Sequence, residues 1–233
     1  MKYSLIIPCY NEERNLKILL NKCSGIVKNN NYEIIIVNNG SKDNSRKILN
    51  SIIKKYKNIK ILHIKKNIGY GNGIVQGLKF SKGDILGWTH ADLQTDPSDF
   101  LKATSFFKSP NDKIYVKGLR TGRKFSDLFF TIIMSFFESI LFRTILRDIN
   151  AQPNVFTRKF FTTLKNFPNG FSLDLFFFIN AKKIKKLKIY RFPVLFKQRI
   201  HGISNWNFDL RSKIKFILKI LNYSIKLKKF YKL

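Results

Sequence analysis

An α/β fold with a mostly parallel central sheet flanked by helices is predicted by two features of this chain. Short β-branched, apolar runs alternate with longer amphipathic stretches from the first residues to about Gly118, which is how strands joined by crossover helices read in sequence. Polar residues cluster directly after the first four runs, and in a parallel sheet the carboxyl ends of the strands gather such clusters along one edge, where ligands bind. A length of 233 residues is ample for one packed core, and 44% of them are apolar or aromatic, an ordinary share for a globular domain.

The strands are expected at residues 3–8, 33–38, 59–65, 84–88 and 114–118, each apolar enough to be buried on both faces. Apolar spacing of helical period places helices at 15–28, 45–57, 73–81 and 97–107, and Pro97 suits a first-turn position. Beyond Gly118 the character changes. Residues 125–146 are nearly continuous in Phe, Ile and Leu, interrupted by Asp127, Glu138 and Arg143. A membrane-spanning helix needs roughly 20 apolar residues, and Glu138 near the middle would be costly in lipid. Interfacial helices are the expectation for this stretch, with a buried core helix as the alternative. From Phe208 onward, Phe208, Leu210, Ile214, Ile217, Leu218, Leu221 and Ile225 form an apolar stripe, and Lys213, Lys215, Lys219, Lys226, Lys228 and Lys229 supply charge. This reads as a basic amphipathic helix, docked on the protein or on an anionic membrane surface. The expected organisation is one domain over residues 1–205 followed by that helix over 206–233.

The charge balance restricts partners. Lys and Arg number 44 against 14 Asp and Glu, a net +30, which favours a polyanion: nucleic acid, anionic lipid or a phosphorylated substrate. Lysines are spread along the whole chain with no recognised nucleic-acid motif, so nucleic acid is the least favoured of the three. Lys, Asn and Ile are abundant throughout, so part of the charge reflects composition alone. Cys9 and Cys23 match neither a disulfide framework nor a zinc spacing, and free thiols in the cytoplasm are expected. Met1-Lys2-Tyr3 leads straight into a short apolar run, too short for the core of a signal peptide. The expected location is therefore cytoplasmic, peripheral on the inner face of the plasma membrane.

In His90-Ala91-Asp92-Leu93-Gln94 the carboxylate of Asp92 follows an apolar strand, where it can hold Mg²⁺ or Mn²⁺ with phosphates and water as further ligands. A lone Asp in that position is more often a cap or turn residue. The set of motifs is more specific. Ser4-Leu5-Ile6-Ile7-Pro8-Cys9-Tyr10-Asn11-Glu12-Glu13, Val37-Asn38-Asn39-Gly40-Ser41-Lys42-Asp43, Asn67-x-Gly69-x-Gly71 and Ala91-Asp92-Leu93-Gln94 occur in order at strand ends. Together with Arg199-Ile200-His201-Gly202-Ile203-Ser204, they resemble the family 2 glycosyltransferases, especially the dolichol-phosphate mannosyltransferases and bacterial polyprenyl-phosphate enzymes.

That resemblance implies a GT-A, Rossmann-like fold, an inverting displacement and a divalent metal, Mg²⁺ or Mn²⁺. It implies that Pro8, Tyr10, Glu12 and Asn39 line the nucleotide pocket with Gly69, His90 and Ala91, and that Asp92 and Gln94 ligate the metal. Arg120 and Arg199 would meet phosphates, since a guanidinium fork pairs with two phosphate oxygens, and Arg123 would reach the phosphate of a polyprenyl-phosphate or lipid-linked acceptor. Asp174 would face the acceptor: as general base for a hydroxyl, or without that duty for an already ionised phosphate. Two departures bear on this. Asn38 and Asn39 stand where the family commonly has Asp-Asp, and His90 stands where Asp-x-Asp would begin. An amide keeps an acceptor oxygen without the charge, so a catalytically silent relative is also a reading. Gly69, Gly71 and Gly73 are spaced unlike a dinucleotide fingerprint, because Ile74 takes the last glycine position; they are expected to let backbone approach the substrate.

Overall fold

The computed structural model describes residues 1–123, 125–201 and 210–231, with residues 126 and 210–216 described by backbone only. Gly202, Ser204, Phe208 and the expected division at residues 205/206 lie outside the described residues, as do the side chains of Leu210, Lys213, Ile214 and Lys215.

The strands are β1 (Tyr3–Cys9), β2 (Tyr32–Asn39), β3 (Ile59–Ile64), β4 (Ile85–Trp88), β5 (Ile114–Thr121), β6 (Asn154–Thr157) and β7 (Lys188–Leu195). They form one seven-stranded sheet in the order β3-β2-β1-β4-β6-β5-β7. β6 runs antiparallel to β4 and β5, and the other pairings are parallel. The helices are α1 (Glu13–Ile26), α2 (Ser45–Ile52), α3 (Tyr70–Phe80), α4 (Asp99–Thr104), α5 (Phe125–Leu141), α6 (Arg158–Thr163), α7 (Leu173–Lys183) and α8 (Leu210–Tyr231). Side chains alternate across each strand, so the sheet carries two cores. Ile6, Trp88, Tyr115 and Phe156 pack with Phe177 of α7 on one face. Leu5, Ile7, Ile34 and Val155 pack with Leu16 and Leu19 of α1 on the other.

The expected mostly parallel α/β sheet is therefore present, and all five expected strands are in it. Three details differ. β3 is an edge strand and only half-buried, not covered on both faces. β6 and β7 were not anticipated: β6 is four residues long, and β7 alternates exposed with covered residues at the opposite edge. Helix ends also move: α3 begins earlier, at Tyr70, and α5 stops at Leu141. Pro97 sits in the turn before α4, its carbonyl accepting from Phe100 N at 3.1 Å.

Among the described residues, no helix is long and apolar enough to cross a membrane. α5 turns Glu138 inward, 1% exposed, and presents Phe125, Phe129, Ile132, Phe136 and Ile140 outward. Ser224 Oγ of α8 donates to Glu138 Oε1 at 2.6 Å, and Leu227 of the same helix lies in the core. Glu138 Oε2 has no partner among the described residues, and burial pushes this carboxyl up from 4.5 to about 7.

A raised acid pKa means that the folded protein holds the proton more tightly, so its stability contribution is full below the unfolded value and is lost as pH rises to the folded value. The loss falls between about pH 4.5 and 7. Glu138→Gln removes it: in urea unfolding, the variant should gain on wild type by about 3 kcal/mol between pH 5 and pH 8. A difference independent of pH would contradict the assignment.

Candidate active site

The carboxyl ends of β1, β2, β4 and β5 open into one cavity of about 640 Å³, closed on one side by α5 and α8. Pro8, Tyr10 and Glu12 enter it from the end of β1, and Asn39 from β2. The β1 and β2 ends are tied together. Asn11, at a φ of 56° that Asn tolerates better than most residues, accepts from Lys42 N at 2.8 Å and donates its own N–H to Ser41 Oγ at 3.1 Å. Glu12 accepts from Asn15 Nδ2 at 2.6 Å, and burial pushes its carboxyl above the usual range. Asn39 spends its amide nitrogen on Gly69 O at 3.0 Å and Asn67 Oδ1 at 3.3 Å, leaving a buried Oδ1 without a partner among the described residues. Asn38 does not reach the cavity: it bonds His63 Nδ1 at 3.0 Å and accepts from Ser41 N at 3.1 Å.

The glycines do something other than expected. A Cβ on Gly69, whose φ is 135°, would lie 2.1 Å from Asn169 O, and one on Gly71 would lie 2.4 Å from Pro168 O. These positions make room for the loop before α7 rather than for a substrate, although Gly69 also lines the cavity. The same loop places Phe171 on Tyr70, with ring centroids 4.9 Å apart, and Tyr70 stacks on His90 at 5.3 Å. His90 thus sits in an aromatic stack at the cavity wall.

Ala91, Asp92 and Gln94 follow β4 and line the cavity. Asp92 is 5% exposed; its Oδ1 accepts from Gln94 N at 3.1 Å, and its Oδ2 from Arg199 Nη2 at 2.9 Å. Arg199 Nε also donates to Gln94 Oε1 at 3.2 Å. One guanidinium therefore bridges the two residues expected to hold a metal. Hard oxygens that already share a cation fit Mg²⁺ or Mn²⁺ in kind. Among the described residues, no group of three or more His, Cys, Asp or Glu could hold a metal, so these two donors fit an ion whose other ligands are diphosphate oxygens and water.

Arg120 and Arg123 stand at the end of β5. Arg120 is held by both oxygens of Asp148, through its backbone N and its guanidinium, and Arg123 lies 3.8 Å from the same carboxylate. Both guanidinium groups face the ring of Phe196, at 5.1 and 5.7 Å. Arg123 Nε is buried without a partner among the described residues. Burial, with Arg120 beside it, lowers the pKa of Arg123, and Arg120, with Lys117 behind it, keeps Asp148 below the usual carboxylate range against its own burial.

Asp174 enters from the first turn of α7, 2% exposed. Its Oδ1 accepts from Gln152 Nε2 at 2.7 Å and Asn154 Nδ2 at 2.9 Å. Burial pushes its carboxyl up, opposed by Lys117, His90 and the two amides. All thirteen residues anticipated for the site line this one cavity. Tyr70, Gln152, Asp148 and Phe196 were not anticipated. Tyr70 occupies a variable position of the Asn67-x-Gly69-x-Gly71 motif and the other three belong to no motif, and a lysine inside the apolar strand 114–118 was the one sequence sign of the network behind Asp174.

A profile of Glycosyl transferase family 2 matches residues 4–167. Dolichol-phosphate mannosyltransferase of Pyrococcus furiosus is 33% identical over 122 residues, 51% of this chain and 34% of that protein. Undecaprenyl-phosphate 4-deoxy-4-formamido-L-arabinose transferase of Yersinia enterocolitica is 32% identical over 116 residues, 48% of this chain and 36% of that protein. The aligned part thus spans about a third of either relative. Among solved structures, glucosyl-3-phosphoglycerate synthase of Mycobacterium tuberculosis, in complex with Mn²⁺, UDP-glucose and phosphoglyceric acid, superposes with a TM-score of 0.71 at 15% identity, covering 94% of this chain and 77% of that one. That likeness establishes the GT-A fold. With the profile spanning most of the chain and the four motifs of its first half at their strand ends, this protein belongs to glycosyl transferase family 2.

Proposed function

We propose that this protein transfers a sugar from a nucleoside-diphosphate donor to polyprenyl phosphate at an anionic membrane surface, with inversion at the anomeric carbon. The observation that carries the reading is one cavity that brings together the Asp92 carboxylate, three arginines and the apolar side chains of Phe130, Met134, Ile217 and Ile220 from α5 and α8. The names of the Pyrococcus and Yersinia relatives support a polyprenyl-phosphate acceptor, and the Mn²⁺ and UDP-glucose of the Mycobacterium structure support the donor and the metal.

In this reading Pro8, Tyr10, Glu12 and Asn39 hold the nucleoside, with the free Oδ1 of Asn39 available to an N–H of the base. Asp92 and Gln94 hold Mg²⁺ or Mn²⁺, which supplies positive charge to the leaving diphosphate. Arg199, released from those two side chains, pairs with the phosphates, as does Arg120. Arg123 takes the acceptor phosphate, for which its unpartnered Nε is one donor. The outward apolar residues of α5 and Lys219, Lys226, Lys228 and Lys229 of α8 face the membrane, and α8 acts as a basic attachment helix.

A hydroxyl acceptor is the second reading, favoured by Asp174 in the cavity wall. The acceptor oxygen bonds the anomeric carbon as the bond to the diphosphate breaks, the electron pair leaves with the nucleoside diphosphate, and the proton passes to Asp174. An ionised phosphate needs no such base.

Thermal-shift measurements with a panel of nucleotide sugars should show stabilisation by one donor that increases with Mn²⁺. Stabilisation indifferent to both metal and Asp92→Ala would favour a silent relative, and salt-sensitive nucleic-acid binding without donor affinity would favour the polyanion reading. In transfer assays to polyprenyl phosphate, Asp92→Asn should lose roughly 100-fold or more in kcat, the scale of removing one electrostatic contact to a transition state. Asp174→Asn separates the acceptors: it should spare transfer to a phosphate and abolish transfer to a hydroxyl.

A further inference from the structure

Lys117 lies in the middle of β5, fully buried, on the side of the sheet that packs against α7. A lysine there requires a reason, because burying an ammonium without partners is costly. Its Nζ donates to Ala151 O at 2.8 Å and to Asn154 Oδ1 at 2.7 Å. Tyr115 OH donates to that same Oδ1 at 2.8 Å. Lysine is only a donor, so the orientation of the Asn154 amide follows from it: the oxygen faces Lys117, and the nitrogen must face away. That nitrogen donates to Asp174 Oδ1 at 2.9 Å and to Gln152 Oε1 at 2.8 Å. Gln152 is oriented in turn, and its Nε2 reaches Asp174 Oδ1 at 2.7 Å. A cation at one end, two amides fixed in sequence, and a carboxylate in the cavity wall at the other make a single directed chain.

We propose that Lys117 is a positioning residue, which through Asn154 and Gln152 keeps the carboxylate of Asp174 ionised and aimed for the acceptor. The remaining charged groups around the pair are few. Arg191, Asp148 and Arg120 act on Lys117, and His90 acts on Asp174. Burial pulls the Lys117 amine down to about 7, with Asp174 opposing. Burial pushes the Asp174 carboxyl up, with Lys117 the first of the groups opposing. Each charge is therefore supported by the other against its burial, and a change at one must appear in the titration of the other.

The inference rests on the hydroxyl-acceptor reading of the cavity for its kinetic arm and on structure alone for its spectroscopic arm. In ¹³C-lysine NMR of the full chain, one ε-carbon should titrate near neutrality, and Asp174→Asn should lower its midpoint by about one pH unit or more. An unchanged midpoint overturns the proposal. In transfer assays to a hydroxyl acceptor, where Asp174 serves as base, Lys117→Met should move the acidic limb of the pH–rate profile up by about one to two units, with activity recovering at high pH. A purely structural lysine would instead lower the rate equally at all pH with the limb in place, which also overturns the proposal. Should Lys117→Met fail to fold, the titration of wild type against Asp174→Asn decides alone. Should wild type transfer sugar to no acceptor, the transferase reading fails while the NMR result still stands or falls by itself.

Discussion

Parallel pairing of β1 with both β2 and β4 is the constraint on which the rest depends. It brings three carboxyl ends to one edge of the sheet, and β5, parallel to them across the antiparallel β6, adds a fourth. Residues as far apart as Tyr10, Asn39, Asp92 and Arg120 become neighbours for that reason alone. The hydrophobic side chains that hold the strands alternate between two cores. A one-residue slip of β1 would exchange Leu5 and Ile7 with Ile6 and rotate the whole edge.

On that edge, charge is arranged so that few groups stand alone. Asp148 anchors Arg120 with two oxygens and sits beside Arg123, while Phe196 offers its ring to both cations. Arg199 caps Asp92. Buried ion pairs contribute little net stability after desolvation, so these contacts are better understood as keeping cations desolvated and oriented toward the cavity. Asn39 Oδ1, Arg123 Nε and Glu138 Oε2 of the cavity lining are buried without a partner among the described residues.

Much of this was legible in the sequence because it depends on local pattern. β-branched runs announce strands, and a motif such as Ala91-Asp92-Leu93-Gln94 marks a strand end without any knowledge of its neighbours. What escaped depends on contacts between distant segments. β6 is a strand only because β4 and β5 flank it. Gln152 and Asn154 matter only because α7 brings Asp174 above them. Glu138 looked like an obstacle to a lipid-facing helix, and it is turned toward Ser224 instead, which leaves the rest of that helix free to be as apolar as it is.

The stack of Phe171, Tyr70 and His90 has a further consequence when joined to the tight fit at Gly69 and Gly71. Two stretches separated by about a hundred residues, 67–73 and 168–172, are clasped so closely that neither backbone can shift without the other. Lengthening the hinge before α7, or adding a single methyl group on the opposing turn, would prise the aromatic pile apart and tilt the imidazole at its end. The wall of the chamber is therefore set by the spacing between two turns of main chain, and its shape is transmitted to the chemistry through stacked rings.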